Sequence, residues 1–276
     1  MALTGNWLVI QSIFTTALYK LLRLVFITVQ SIFWQLNGTA RKVREARLPH
    51  NYERSAQVLD VLLVHCFGHT TTTDSFICTH NRFEHPQYII DNDNITLMTI
   101  SDHDAVFGEP ARRGMHLWRS EYSSFLPNAQ LQFCRRLIVV PLSTFHRTAE
   151  LIGDPAGQLI FLSHTSRCGS TLLTQMMEST RRCVALSEPH STVVVVTKHR
   201  KSGGDSPELR QLARDVMRWE CRPYTSLEVC IGTGFQCHPT HPAPSRPAFI
   251  PIRPRTSFFS SATIPASVVF GCCPIQ

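Results

Sequence analysis

The sequence predicts an α/β protein in which an incomplete parallel sheet lies between an N-terminal apolar helix and an irregular C-terminal tail. Three observations carry this. Residues 7–36 are an apolar stretch free of Gly and Pro, and the run at 159–162 leads through a small-residue loop into a helical pattern. The last 56 residues hold nine prolines and five cysteines, with Glu228 the one acidic residue. A length of 276 residues suits one large domain or two small ones, and 43% hydrophobic with 17% charged content excludes a disordered or wholly membrane-embedded chain. The net charge of +7 favours phosphate groups or acidic lipid, but is too modest a balance to indicate nucleic acid as a partner. Ten cysteines are too sparse for a disulfide miniprotein, and no CxxC pairs recur with His at zinc-finger spacing, so no metal is expected.

As a helix, residues 7–36 (WLVIQSIFTTALYKLLRLVFITVQSIFWQL) would be about 45 Å long. Lys20 and Arg23 sit near its middle, and Ser12, Thr16, Tyr19, Lys20, Arg23, Gln30 and Ser31 recur near helical spacing as one polar stripe. Such a pattern suits a helix in the membrane interface, or a spanning helix whose charges are paired or snorkelling; a buried core helix is the alternative. Residues 1–36 are therefore expected to associate with a membrane surface, followed by a basic linker over 37–50. No Lys or Arg precedes the stretch, whereas Arg41, Lys42, Arg44 and Arg47 follow it. If the helix spans, the positive-inside rule places the rest on the cytoplasmic side. The missing basic leader argues against a cleaved signal peptide. Asn37-Gly-Thr39 and Asn94-Ile-Thr96 are glycosylation triplets that matter only in a lumenal compartment.

Residues 51–155 read as an α+β module. Residues 58–66 (VLDVLLVHC) predict a strand or short helix and residues 68–74 a polar loop. Residues 88–90 and 95–100 flank the turn-rich Asp91-Asn-Asp-Asn94 and predict paired strands. Asp91, Asp93, Asp102, His103 and Asp104 lack the Gly and distal Glu of a calcium loop, so a solvated turn is expected there. Residues 137–142 (LIVVPL) predict a strand, and 143–152 a helix stopped by Gly153-Asp-Pro155.

The chemistry lies in residues 157–189, GQLIFLSHTSRCGSTLLTQMMESTRRCVALSEP. An apolar strand at 159–162 gives way to Ser163-His-Thr-Ser-Arg-Cys-Gly-Ser-Thr171. Leu172, Leu173, Met176 and Met177 then recur as the apolar face of a helix. Strand, Gly-containing loop and helix together turn backbone N–H groups and a helix N-terminus towards a phosphate. Gly169 lets the backbone approach the anion, Arg167 adds a planar bidentate donor, and Ser170 and Thr171 add hydroxyls. It is not a Walker A loop, since Gly157 lies too far upstream and no Lys follows Gly169, so ATP or GTP hydrolysis is disfavoured.

The order basic–small–Gly–Ser–Thr resembles the 5′-phosphosulfate loop of sulfotransferases, P-loop proteins that use PAPS (3′-phosphoadenosine 5′-phosphosulfate). With Leu186-Ser-Glu-Pro189 at the end of a second strand, it is similar to sulfotransferases of the carbohydrate and tyrosylprotein type over about residues 159–223. The resemblance implies an α/β P-loop fold with a parallel sheet, and transfer of a sulfuryl group from PAPS to a hydroxyl or amine acceptor. It implies that the backbone amides of Cys168, Gly169, Ser170, Thr171 and Leu172 surround the 5′-phosphosulfate, with Ser170 and Thr171 hydroxyls on the same phosphate. It further implies that Arg167 stabilises the leaving phosphate oxygen and makes Glu188 the candidate base that deprotonates the acceptor, with His190 a weaker candidate. No metal is implied. Relatives of the carbohydrate type usually face the Golgi lumen, against the cytoplasmic placement from the flanking charges.

Residues 156–222 are thus expected to be a partial P-loop core. Residues 191–197 (STVVVVT) precede basic Lys198-His-Arg-Lys201, and residues 208–219 predict an amphipathic helix on which Arg210 and Arg214 read as surface charges. From 223 to 276 the Pro-rich character predicts a tail of low order, as in a C-terminally truncated form. Two other readings follow: a non-catalytic, membrane-tethered isoform, or a P-loop protein that binds a nucleotide or transfers phosphoryl groups.

Overall fold

The computed structural model describes residues 2–48, 50–66, 72–155, 159–164, 169–180, 183–202, 206–222 and 228–234. The chain is α/β, with an N-terminal apolar helix and a five-stranded antiparallel sheet as its largest layer. It divides into two units, one made of residues 1–117 and 127–148, the other of 118–126 and 149–276.

In the first unit, helix α1 (Ala2–Leu36) and helix α2 (Thr39–Ala46) are joined through Gly38, whose φ of 76° allows the sharp change of direction. Strands β1 (Ala56–Val64) and β2 (Phe76–Glu84) precede the short helix α3 (Gln87–Ile90). Strands β3 (Thr96–Ile100) and β4 (Asp104–Pro110), helix α4 (Leu126–Phe133), strand β5 (Cys134–Pro141) and helix α5 (Leu142–Ile152) follow. The strand order is β2-β1-β5-β4-β3, and every neighbouring pair is antiparallel. Val58 lies opposite Ile138, and Ile138 opposite Phe107, so the three share one face. All three are fully buried, and Phe145 of α5 packs over Phe107 at 6.4 Å between ring centroids. Gln130 of α4, also buried, donates through Nε2 to Thr96 Oγ1 at 3.0 Å and to the Leu97 carbonyl at 2.9 Å, tying α4 to β3 inside the core.

Helix α1 meets the β1–β2 hairpin through one narrow stripe. Thr16, Tyr19, Arg23, Phe26, Gln30 and Trp34 are withdrawn from solvent, while from Ile10 to Leu36 the other positions are exposed. The spacing of three and four residues is that of a single helical face. Tyr19 stacks on His65 at 4.7 Å and donates its hydroxyl to the Asp74 carbonyl at 3.1 Å. Arg23 pairs with the Asp74 carboxylate at 2.7 Å, and Gln30 donates to the Cys78 carbonyl at 2.9 Å. Trp34 meets His80 edge-on at 5.9 Å. Within α1, Ile10–Leu36 is long and apolar enough to cross a membrane.

In the second unit, strand β6 (Leu159–His164), helix α6 (Ser170–Ser179), strand β7 (Cys183–Ser187), helices α7 (His190–Ser202) and α8 (Pro207–Cys221) and strand β8 (Glu228–Gly234) succeed one another. The three strands pair in parallel in the order β6-β8-β7. Leu159, Val184, Ala185 and Leu186 are buried from the sheet; Leu212, Val216, Met217 and Trp219 are buried from α8. Ser206 caps α8 by accepting from the Leu209 N–H at 3.2 Å, and Pro207 takes the first helical position, where its missing N–H costs nothing.

Four expectations are corrected. The largest sheet is antiparallel, not a parallel P-loop sheet, because connections as short as residues 101–103 between β3 and β4 permit only antiparallel pairing. Residues 88–90 belong to α3 rather than to a strand: the Asn92 side chain donates to the Tyr88 carbonyl at 2.6 Å and Gln87 to Asp91 at 2.9 Å, closing a helical turn. The partner of β3 is instead β4. The residues from 223 onwards are not irregular throughout, since β8 is the central strand of the second sheet; 223–227 and 235–276 lie outside the described residues. The apolar residues of α6 do not form its covered face: Leu172, Leu173 and Met176 are exposed and Thr174 is buried.

Candidate functional site

Parallel pairing makes β6, β8 and β7 end at one edge. In the register, Leu162 of β6 and Ser187 of β7 both lie opposite Gly232 of β8. One strand therefore separates the carboxyl ends of β6 and β7, a lateral distance of roughly 10 Å. In open α/β sheets this edge is where ligands bind.

The connection from β6 reaches α6 through Gly169. Its φ of 84° is left-handed, and a Cβ built on it meets no atom within 4 Å, so the backbone conformation rather than crowding requires glycine there. Glycine also brings no capping side chain, and α6 has no acidic residue in its first turn. The first bond of the helix runs from the Leu173 N–H to the Gly169 carbonyl at 3.1 Å. The N–H groups of Ser170, Thr171 and Leu172 thus have no carbonyl one turn back within the helix. Gly169 and Leu172 are exposed, and Ser170 and Thr171 half-buried, so this positive end is open to solvent. Arg167 and Cys168 lie outside the described residues.

The connection from β7 to α7 is tighter, with Ser187, Glu188, Pro189 and then helix. Glu188 has a φ of 51°, the one left-handed non-glycine among the described residues. Glutamate gains no local hydrogen bond from this conformation as Asn or Asp does, and the strain is of order 1 kcal/mol. Thr192 Oγ1 donates to the Pro189 carbonyl at 2.7 Å, which secures the turn. Glu188 is half-buried just beyond the end of β7.

A buried acid that the sequence reading missed joins α7, which follows this turn, to α8. Glu220, on the last turn of α8, is 5% exposed and accepts a short hydrogen bond from Ser191 Oγ in the first turn of α7. Burial pushes its carboxyl up to about 7, against the opposing effects of the Ser191 hydrogen bond and the Arg222 charge. Arg222 itself lies over the Trp219 ring at 5.3 Å. The legible signal was weak: within the run Trp219-Glu-Cys221, Glu220 interrupts an otherwise apolar end of the helix.

The other sequence candidates are dispersed. Asp91 accepts from Gln87, Asp93 faces His116 at 3.9 Å and Asp104 pairs with Arg47 at 2.9 Å. Among the described residues no three His, Cys, Asp or Glu side chains gather as a metal site. What the second unit brings to one edge is an uncapped helix N-terminus with two hydroxyl residues, and a carboxylate on a strained turn one strand away. The first favours an anion; the second can accept a proton. Comparison with protein-family models, with curated proteins and with solved structures gave no match.

Proposed function

We propose that the chain is a sulfotransferase-like protein that transfers a sulfuryl group from PAPS to a hydroxyl or amine acceptor. The observation that supports this reading is the pairing at one sheet edge of the Gly169–α6 turn with the Glu188 turn, about one strand apart. The residues fit an anionic donor: the amides from Cys168 to Leu172, with the hydroxyls of Ser170 and Thr171, bind the 5′-phosphosulfate. Glu188 takes the proton from the acceptor as its oxygen or nitrogen bonds to sulfur. The bond from sulfur to the 5′-phosphate oxygen breaks, and Arg167 stabilises the charge left on that oxygen. Such a step needs no metal. The parallel strands β6, β8 and β7 are, in this reading, the P-loop part of the fold.

The test is calorimetric titration of the full chain with PAP, the desulfated product, and with ATP, alongside Arg167→Ala and Glu188→Gln. PAP binding lost in Arg167→Ala, with ATP silent, is the expected result. Glu188→Gln keeps PAP binding and loses turnover by about 10²–10⁴-fold. A folded chain that binds no PAP refutes the reading. Binding of ATP alone assigns the loop to a nucleotide-binding or phosphoryl-transfer protein, and PAP binding without turnover to a non-catalytic product.

A further inference from the structure

Thr16, Tyr19, Arg23 and Gln30 of the polar stripe face the β1–β2 hairpin, and most of the outward positions of α1 are apolar. Trp7, Phe14, Leu21, Leu24 and Phe33 are each more than half exposed. No acidic residue occurs before Glu45, whereas Lys20, Arg41, Lys42 and Arg44 are exposed. A largely apolar face with Lys20 beside it and Arg41, Lys42 and Arg44 just beyond it is complementary to a lipid surface with anionic headgroups.

Docking and spanning exclude one another. The docked positions run from Thr16 to Trp34, about 27 Å of helix axis. If that length crossed a bilayer, β2 would enter the hydrocarbon beside it. β2 is the edge strand of its sheet, and an open edge leaves backbone groups unsatisfied in lipid. Asp74, the partner of Arg23, has a side chain 70% exposed and would be carried in as well. The undocked part of α1, residues 2–15, is about 21 Å long and too short for a hydrocarbon core of about 30 Å.

We infer that α1 lies flat in the interface of an anionic membrane, with its apolar face among the acyl chains and its polar stripe holding the β1–β2 hairpin at the surface. The chain is then monotopic through this helix. The first unit carries its own lipid-facing side, and the positive charges of α2 rest on the headgroups.

The experiment places one fluorescent unnatural residue at Ile13, Leu24 or Phe33 in the full chain, bound to vesicles of phosphatidylcholine and phosphatidylserine. Brominated lipids with shallow or deep bromines report depth. Shallow quenching at all three sites is expected, because the sites lie along one in-plane helix. Leu24→Glu, on the exposed face, lowers vesicle binding about tenfold without altering the fold. Deep quenching at Leu24 with shallow quenching at the two flanking sites shows a spanning helix and overturns the inference. So does the absence of quenching, whether the chain is then monomeric or pairs through this face with a second copy.

Discussion

Replacing Glu220 by Gln is expected to stabilise the chain above neutral pH and to flatten the pH dependence of its stability. The carboxyl titrates near 4.5 when unfolded and, because burial disfavours its charge, near 7 when folded. Between these values the folded chain holds a proton that the unfolded chain does not, so stability falls as pH rises. Below 4.5 both states are protonated and the penalty is absent; above 7 both are ionised and it is complete. A shift of this size corresponds to about 3 kcal/mol, with little discount for solvent because Glu220 is 5% exposed. Gln keeps the shape and a hydrogen bond to Ser191 but has no charge to bury. In urea denaturation followed from pH 5 to pH 8, the parent midpoint should fall relative to Glu220→Gln by about 1 M. Ser191→Ala removes a hydrogen bond that lowers the carboxyl's pKa, and so moves the loss to higher pH. Parallel midpoint curves for the parent and Glu220→Gln would refute the reasoning.

Gly108→Ala should cost about 1–3 kcal/mol: the new methyl meets Cys134 Sγ well inside contact distance and Met98 Cε at 3.1 Å. Combining it with Cys134→Ala should recover part of that loss in a double-mutant cycle. Ser206→Ala removes the cap of α8 and should cost about 1 kcal/mol by chemical denaturation. Glu188→Gly relieves the left-handed strain and should stabilise the chain by up to about 1 kcal/mol while abolishing the proposed sulfuryl transfer, so that stability and any turnover move in opposite directions.

Elements with strong local patterning were legible in the sequence. The long apolar helix, the helix stopped at Gly153 (φ 77°), the strand from residue 159 and the amphipathic helix of residues 208–219 follow from apolar patterning and stop signals. Pairing was not legible, because which strand lies beside which depends on contacts distant in sequence. β4 reads Asp-Ala-Val-Phe-Gly-Glu-Pro, with a glycine and a terminal proline that weaken any strand signal; it exists because β3 and β5 flank it. β8 was hidden by the prolines around it, although Val229-Cys-Ile231 is a short apolar run bounded by turn residues. Likewise the valines at 193–196 favour a strand locally, yet α7 is helical, held at its start by Thr192 and by the buried Ser191–Glu220 contact. At the candidate site, the residue types were readable from the loop. The strain at Glu188 and the buried carboxyl of Glu220 were not, since both arise from tertiary packing.

The place of β8 has a consequence for how the chain is born. β6 and β7 share no hydrogen bonds with each other; each bonds to β8. About 70 residues after β6 ends must leave the ribosome before its partner strand is complete. The antiparallel sheet, whose last strand ends at Pro141, can close long before. During that interval two parallel strands wait with bare edges, a state open to chaperone capture or misassociation. A message cut short before residue 228 would give a folded first sheet and a second one that never closes.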